Sequence, residues 1–324
     1  MSCLCFFPFN IKSLLILCKP KFQLHMKIYD CFMFFDEEML LDLRLNILDK
    51  YVDKFVITEA TYAHNGKFKK LVFDINKFSK FKDKIIYIVV DKQPSGLLKI
   101  NSSDDIDTFG NKLTLNGYKR DNHQRQMARQ ALTNVSPDDW IIINDIDEIP
   151  NLKKVNFNSI KNKLVIFKQQ IFYYKFNLLC DWVDWYGTKG CRKKSLQSFS
   201  WLREIKAKKY PIYRLDTFIS KNKYMNVKIV DEGGWHFSQL KTPKDIENKL
   251  LNQEHHDVYK LAKKKLPDIA DLILRKTITY DYKAKSTDYK FSKEFKLKSI
   301  TLDHMPIFLK QNVDKYSEWF DLDK

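Results

Sequence analysis

From Met26 onward the chain alternates between apolar runs of strand length and segments whose apolar residues recur every three or four positions. "KIYDCFMFF" reads as a strand, and "DEEMLLDLRLNILDKYV" as an amphipathic helix with Asp36 placed as its N-cap. "KFVITEA" is a second strand. "KIIYIVVD" is a third, after a short helix near Asn76 to Phe81. "RDNHQRQMARQALTN" is a polar-faced helix leading into "WIIINDIDEIP", whose isoleucines form a fourth strand. Strands that are near-continuous apolar runs and alternate with helices predict an α/β fold. The sheet should be mainly parallel, with both faces covered.

The second half is less regular. "KLVIFKQQIFYYKFNLL" reads as one or two strands, "DWVDWYGTKGCRKKSL" as a loop rich in aromatics and cations, and residues 242 to 265 as helical. No internal repeat or Gly/Ser-rich linker divides the chain, so residues 26–324 are read as one domain behind an extension of residues 1–25. Only 8 glycines are present and none forms a phosphate-cradling loop, which disfavours P-loop and dinucleotide-binding readings.

Composition narrows the picture further. With 324 residues, 44% hydrophobic and 14% aromatic, the chain can bury a large core. Its formal charge of +17 suits anionic partners such as a sugar nucleotide or acidic headgroups. The lysines are spread along the chain rather than clustered, which speaks against a nucleic-acid interface. Cysteines at 3, 5, 18, 31, 180 and 191 lack paired zinc spacing and are expected as free thiols, although Cys180 and Cys191 could pair across a loop. Residues 3–18 are apolar but carry Pro8, Asn10 and Lys12, marginal for a bilayer span. They read either as a dispensable extension upstream of Met26 or as a weak membrane anchor, leaving a cytoplasmic or membrane-associated location open.

The chemistry concentrates at the end of the fourth strand. Asp145, Asp147 and Glu148 crowd together there before Pro150, and crowded carboxylates persist where a cation or substrate compensates them. If the segment is extended, Asp145 and Asp147 point the same way while Ile146 packs inward. Two hard oxygen donors then suit Mn²⁺ or Mg²⁺ against a diphosphate. In "GGWHFS", His236 follows two glycines that let the backbone approach closely, and its imidazole could complete that ligand set. "GTKGCRKK" offers Lys189 and Arg192 to Lys194 as a basic loop that could close on a leaving diphosphate. Arg44, Glu59 and Arg125 lie in or beside core-like segments, so each needs a partner, structural or ligand.

Taken together, "YDCFMFFDEEMLLDLRLNIL", "VDKFVITEATYAHNGK", "HQRQMAR", "IIINDIDEIP" and "GGWHFS" resemble glycosyltransferase family 17, from about Lys27 to "MPIFLK" near Pro306. The resemblance implies a GT-A-type nucleotide-sugar-binding fold and inverting transfer, N-acetylglucosamine from UDP-GlcNAc being the expected donor group and a glycan hydroxyl the acceptor. It implies metal binding by Asp145, Asp147 and His236. It also sets Glu37, Arg44, Glu59, Arg125 and Asp145 on the donor side, where the basic loop adds Lys189 and Arg192, and a later family His on His255. Met33, Asp36, Met39 and Asp121 depart from the family pattern, away from the metal positions. Inversion in one displacement needs a base, for which Glu148, Asp184, Asp231 and Glu232 are candidates. Trp182, Trp185 and Tyr186 could stack on an acceptor sugar. The rival expectation is a non-catalytic carbohydrate-binding or scaffold protein on a degenerate transferase fold.

Overall fold

A computed structural model describes residues 26–252, 268–284 and 293–322. The chain runs through strands β1 (Ile28–Phe34), β2 (Lys54–Ala60), β3 (Ile85–Val90), β4 (Trp140–Asn144), β5 (Glu148–Pro150), β6 (Leu164–Phe167), β7 (Gln169–Tyr173), β8 (Leu178–Trp185), β9 (Lys189–Arg192), β10 (Val227–Val230) and β11 (Gly234–Ser238). Among them lie helices α1 (Glu38–Leu48), α2 (Ile106–Met127), α3 (Phe199–Glu204), α4 (Asp216–Ile219) and, after β11, α5 (Pro243–Asn252).

The larger sheet has the order β10-β6-β9-β4-β1-β2-β3. All its pairings are parallel except those of β9, which runs antiparallel between β4 and β6. The expected mainly parallel α/β sheet is therefore present. Its strands are apolar on both faces because both faces are covered. On β4, Trp140 and Ile142 join one core with Leu41 and Leu45 of α1, while Ile141 and Ile143 join another with Leu202 of α3. A smaller sheet pairs β8, β7, β11 and β5, with β11 parallel to β7 and antiparallel to β5. It abuts the carboxyl end of β4, because β5 begins only three residues after that strand ends.

Three local expectations are corrected. Residues 181–196 are largely strand, since β8 and β9 pair into the two sheets, rather than a free basic loop. Helix α2 starts at Ile106, well before Arg120. Gly110, Asn116 and Gly117 mask its pattern, but Asp105 caps it through Thr108 N at 2.8 Å and Asn116 is tied to Leu98 N at 2.7 Å. At α1 the N-cap position is held by Glu37, not Asp36, and the Glu37 carboxylate accepts from Phe35 N and Asp36 N, each at 3.2 Å. Cys31, Cys180 and Cys191 are buried free thiols, as expected; burial pushes Cys180 and Cys191 up to about 12. Among the described residues no helix is long and apolar enough to cross a membrane. Residues 1–25, with the 3–18 stretch, and the part of the expected 242–265 helix that holds His255 lie outside the described residues.

Candidate active site

The carboxyl end of β4 turns sharply. Glu148 N donates to Asp145 O at 3.0 Å, closing residues 145–148 into a turn, so the alternation of an extended segment does not apply to Asp145 and Asp147. A buried ion pair fixes this turn from beneath. Arg44 of α1 donates through Nε and Nη2 to both oxygens of Asp30 on β1, at 2.8 and 2.6 Å. Its Nη1 donates to Glu148 O at 2.6 Å. Asn144 Nδ2 donates to Asp30 at 2.5 Å, and Asn144 Oδ1 accepts from the Thr188 hydroxyl at 2.6 Å. Arg44, fully buried and committed to this pin, is therefore a support of the turn and not the donor contact expected for it.

On one side of the turn, arginines saturate the acids. Asp145 accepts from Arg125 Nη1 at 2.9 Å and from Arg203 Nη2 at 2.6 Å. Burial would push its carboxyl up, but the two guanidiniums outweigh burial and hold it well below the usual carboxylate range. Glu148 is fully buried and accepts four hydrogen bonds: Arg203 Nη1 at 2.7 Å, Arg203 Nη2 at 2.8 Å, Trp185 Nε1 at 2.6 Å and Asp145 N at 2.9 Å. Its four lone-pair sites are thus all occupied, which places Glu148 as a clamp on Arg203. Gly187 makes room for it, since a Cβ there would stand 1.8 Å from Glu148 Oε1. Arg203, which sequence reasoning missed, sits in α3 amid Phe199, Trp201, Leu202 and Ile205. A lone cation inside so apolar a segment was the available signal.

On the other side the turn is tied to β11, Phe237 N donating to Asp147 O at 2.8 Å. Asp147 Oδ2 lies 3.6 Å from His236 Nε2. Burial opposes charge on both groups, yet their mutual attraction prevails, so the imidazole is pushed up and the carboxyl down. Trp185 stacks on His236 with centroids 4.7 Å apart, and His236 Nδ1 has no hydrogen-bond partner among the described residues. Gly234, at φ +131°, lets β11 press against β5, where a Cβ would meet Ile149 O at 2.2 Å. That close fit brings His236 level with Glu148. His64, in the loop after β2, lies in electrostatic reach of Asp121, Arg125 and Asp145, and burial pushes its imidazole down; sequence reasoning missed this residue as well.

These positions test the ligand chemistry. A hard carboxylate oxygen facing an imidazole fits Mn²⁺ better than a closed structural site, since only two protein donors meet and phosphate oxygens could fill the rest. Asp145 is not part of that pair, its oxygens being bound to arginines. Among the described residues no group of three His, Cys, Asp or Glu side chains forms a ready metal site.

The remaining candidates disperse. Glu59 is buried and accepts from Val72 N (2.8 Å), Phe73 N (3.1 Å), Tyr87 OH (2.8 Å) and Lys69, so it folds the 69–73 segment over β2. Glu37 braces the turn before α1 and lies 3.8 Å from Lys241. Lys189 does not close on a diphosphate. It is buried in β9 and bonds Ile205 O at 2.7 Å and Arg203 O, holding the exit of α3, and burial with the Arg203 charge pushes it down to about 7. Arg192 pairs beside Trp140, at the opposite end of β4 from Asp145. Asp184 lies in register with Gln170 and Trp235, one residue out of phase with His236, so it faces the other side of the small sheet and pairs with Lys168 at 2.9 Å. With Asp231 and Glu232 it lines a cavity of about 1000 Å³ on that far side. Glu232 pairs with Lys154 there. None of the four carboxylates proposed as base thus faces Asp147. Trp185 is committed to His236 and Glu148, Trp182 stacks on Phe295 at 5.4 Å, and Tyr186 packs against the second core.

Comparison with known proteins gives this cluster a context. Beta-1,4-mannosyl-glycoprotein 4-beta-N-acetylglucosaminyltransferases of Homo sapiens and Rattus norvegicus are each 27% identical over 237 residues, covering 67% of this chain and 41% of theirs. The chain thus spans about two fifths of the length of those relatives. Among solved structures, the glucosyl-3-phosphoglycerate synthase of Mycobacterium tuberculosis in complex with Mn²⁺, UDP and glucosyl-3-phosphoglycerate aligns at 11% identity. That alignment covers 75% of this chain and 82% of that one, with a TM-score of 0.31. The 2-C-methyl-D-erythritol 4-phosphate cytidylyltransferase of Francisella tularensis aligns at 12% identity over 70% of this chain and 99% of its own, also with a TM-score of 0.31. The sequence pattern described as Glycosyltransferase family 17 matches residues 17–206, more than half of the chain, and takes in α1, the 145–148 turn and Arg203: the protein belongs to glycosyltransferase family 17.

Proposed function

We propose that the protein transfers a sugar from a nucleotide-diphosphate donor to a glycan hydroxyl on a GT-A-type fold, N-acetylglucosamine being the sugar that the named relatives support and UDP the carrier that the family resemblance implies. The observation that carries this reading is the convergence of Arg125 and Arg203 on Asp145, beside the Asp147–His236 pair, at the carboxyl ends of the parallel strands. Two guanidiniums gathered on one partly exposed carboxylate are a preformed claw for a diphosphate. The phosphate oxygens offer the same paired acceptors and more charge. Asp147 and His236 would hold a divalent ion; when bound, such an ion supplies neutralisation of the departing diphosphate. Arg44 keeps the turn fixed and Glu148 keeps its hold on Arg203, while the donors that Arg125 and Arg203 now give to Asp145 would turn to the phosphate oxygens, so the charge pattern is in place before the leaving group develops its charge. Transfer with inversion follows the family resemblance.

A donor screen tests this. With Mn²⁺ present, one UDP-sugar should be turned over to UDP, slowly with water and faster with a glycan acceptor, and Asp147→Asn should abolish both. If no UDP-sugar is turned over while saccharides still bind, the non-catalytic carbohydrate-binding alternative is the correct reading.

A further inference from the structure

The segment from Lys206 to Lys223 departs from the chain's rule of burying its large apolar residues. Among the described residues seven large apolar side chains are at least 70% exposed, and five of them fall between positions 212 and 219: Ile212, Tyr213, Leu215, Phe218 and Ile219, with Ile219 reaching 88%. Isolated exposed apolar residues are ordinary, but five on one short stretch are not. The stretch is a closed loop on a firm base. Lys206 N donates to Asn222 O at 2.8 Å across its neck, and Trp201 Nε1 of α3 donates to Lys221 O at 3.0 Å. The apolar residues sit at its tip, on and before the short helix α4.

Charge surrounds the tip. Lys206, Lys208, Lys209 and Lys221 are all exposed around the base of the loop. The one carboxylate in the segment, Asp216, is already taken by Arg214 at 2.8 Å and Lys223 at 2.8 Å, so it does not offset the collar. An apolar projection ringed by ammonium groups, with a tyrosine among the apolar residues, matches a bilayer surface bearing anionic headgroups. A protein groove that accepted the tip would also have to present acids all round its rim, whereas an anionic membrane presents them everywhere.

We propose that residues 206–223 form a membrane-surface docking loop, whose apolar tip enters the interface of an anionic bilayer while its lysine collar binds the headgroups. Because the loop springs from α3, which carries Arg203, docking would hold the candidate active site at a fixed height and orientation beside the membrane. The proposal does not depend on the reaction assigned above.

Flotation of the full chain with vesicles tests it. Vesicles of phosphatidylcholine with about one third phosphatidylserine should carry the protein upward at low salt, and less so at high salt. Phosphatidylcholine alone should carry little. The variant Ile212→Ser/Phe218→Ser/Ile219→Ser should bind the anionic vesicles at least about tenfold more weakly. The variant Lys208→Gln/Lys209→Gln/Lys221→Gln should lose most of the preference for anionic over neutral lipid. All six positions are exposed or lie on the loop, and unchanged melting temperatures would show that folding is intact. The proposal is overturned if the parent floats with neither vesicle. Equal flotation of parent and variants would overturn it too, assigning binding to another part of the chain. So would an apolar variant that converts a dimer to a monomer without altering vesicle binding, which would mean that a second copy covers the tip.

Discussion

Asp145 and Asp147 stand two residues apart in one turn and have opposite surroundings. Asp145 and its neighbour Glu148 are enclosed by Arg125 and Arg203 in a network where nearly every oxygen is taken. Asp147 is paired with an imidazole 3.6 Å away, stacked on a tryptophan, and feels the charge of Lys249 as well. The contrast shows that an Asp-x-Asp motif need not be two equivalent ligands. Here one member belongs to an arginine lattice on the turn, and the other pairs with an imidazole across it. A turn rather than a strand separates them, and that backbone choice divides their roles.

The contrast is broken most severely by removing Arg203. Arg203→Leu leaves Glu148 buried without its cation and should cost about 3–5 kcal/mol of stability, read by denaturant titration. A loss under about 1 kcal/mol would mean that the lattice is not what holds the turn. Next comes Gly187→Ala, whose methyl group would displace the Glu148 carboxylate from its four donors. About 2–3 kcal/mol should be lost, and in the double variant with Arg203→Leu the two losses should fall short of adding.

Asp145→Asn weakens two ion pairs on a side chain still 35% exposed, so solvent screening limits the cost to about 1–2 kcal/mol. Its pH signature has a fixed sign. A carboxyl held low in the folded state contributes fully above its unfolded value of about 3.9 and loses that contribution as pH falls through the folded value. The stability gap between parent and variant should therefore be flat from pH 5 to 7 and close only in strong acid. A gap that opened as pH fell would reverse the assignment. Asp147→Asn should move stability least, within about 0.5 kcal/mol, while eliminating turnover in the donor screen. Equal destabilisation by Asp145→Asn and Asp147→Asn would erase the distinction between the two halves.

Much of the fold was legible because it is written in local patterns. The apolar runs of β1, β2, β3 and β4 and the periodicity of α1 were readable at once, since a parallel strand covered on both faces must be apolar at nearly every position. The strands β8 and β9 were hidden because Asp181, Asp184, Lys189 and Arg192 break any apolar run. A tertiary ion pair neutralises Asp184 and two backbone carbonyls accept from Lys189, and such partners are invisible to spacing. At the site, the Asp147–His236 pairing was anticipated, whereas Arg203 was not, because no pattern in 199–204 says that its partners lie 55 and 58 residues earlier. The expected base failed for a related reason. Glu148, Asp184, Asp231 and Glu232 are similar in sequence terms, and only the register of β5, β7, β8 and β11 separates a buried clamp from carboxylates on the far face.

That spacing along the chain also sets an order of assembly. Asp30 and Arg44 are 14 residues apart and bridge one strand and the next helix, so their pairing closes a short loop early. Arg203 can reach Asp145 and Glu148 only after β9 has inserted antiparallel between β4 and β6 and α3 has been laid against the sheet. A chain emerging from the ribosome thus carries its acidic turn, pinned by Arg44 and offset only by Arg125, for dozens of residues before the second cation, Arg203, is made. Assembly of the candidate site in this architecture is a late event of synthesis, complete only when β11 brings His236 to Asp147, after the seventh strand of the larger sheet, rather than when the acids themselves appear.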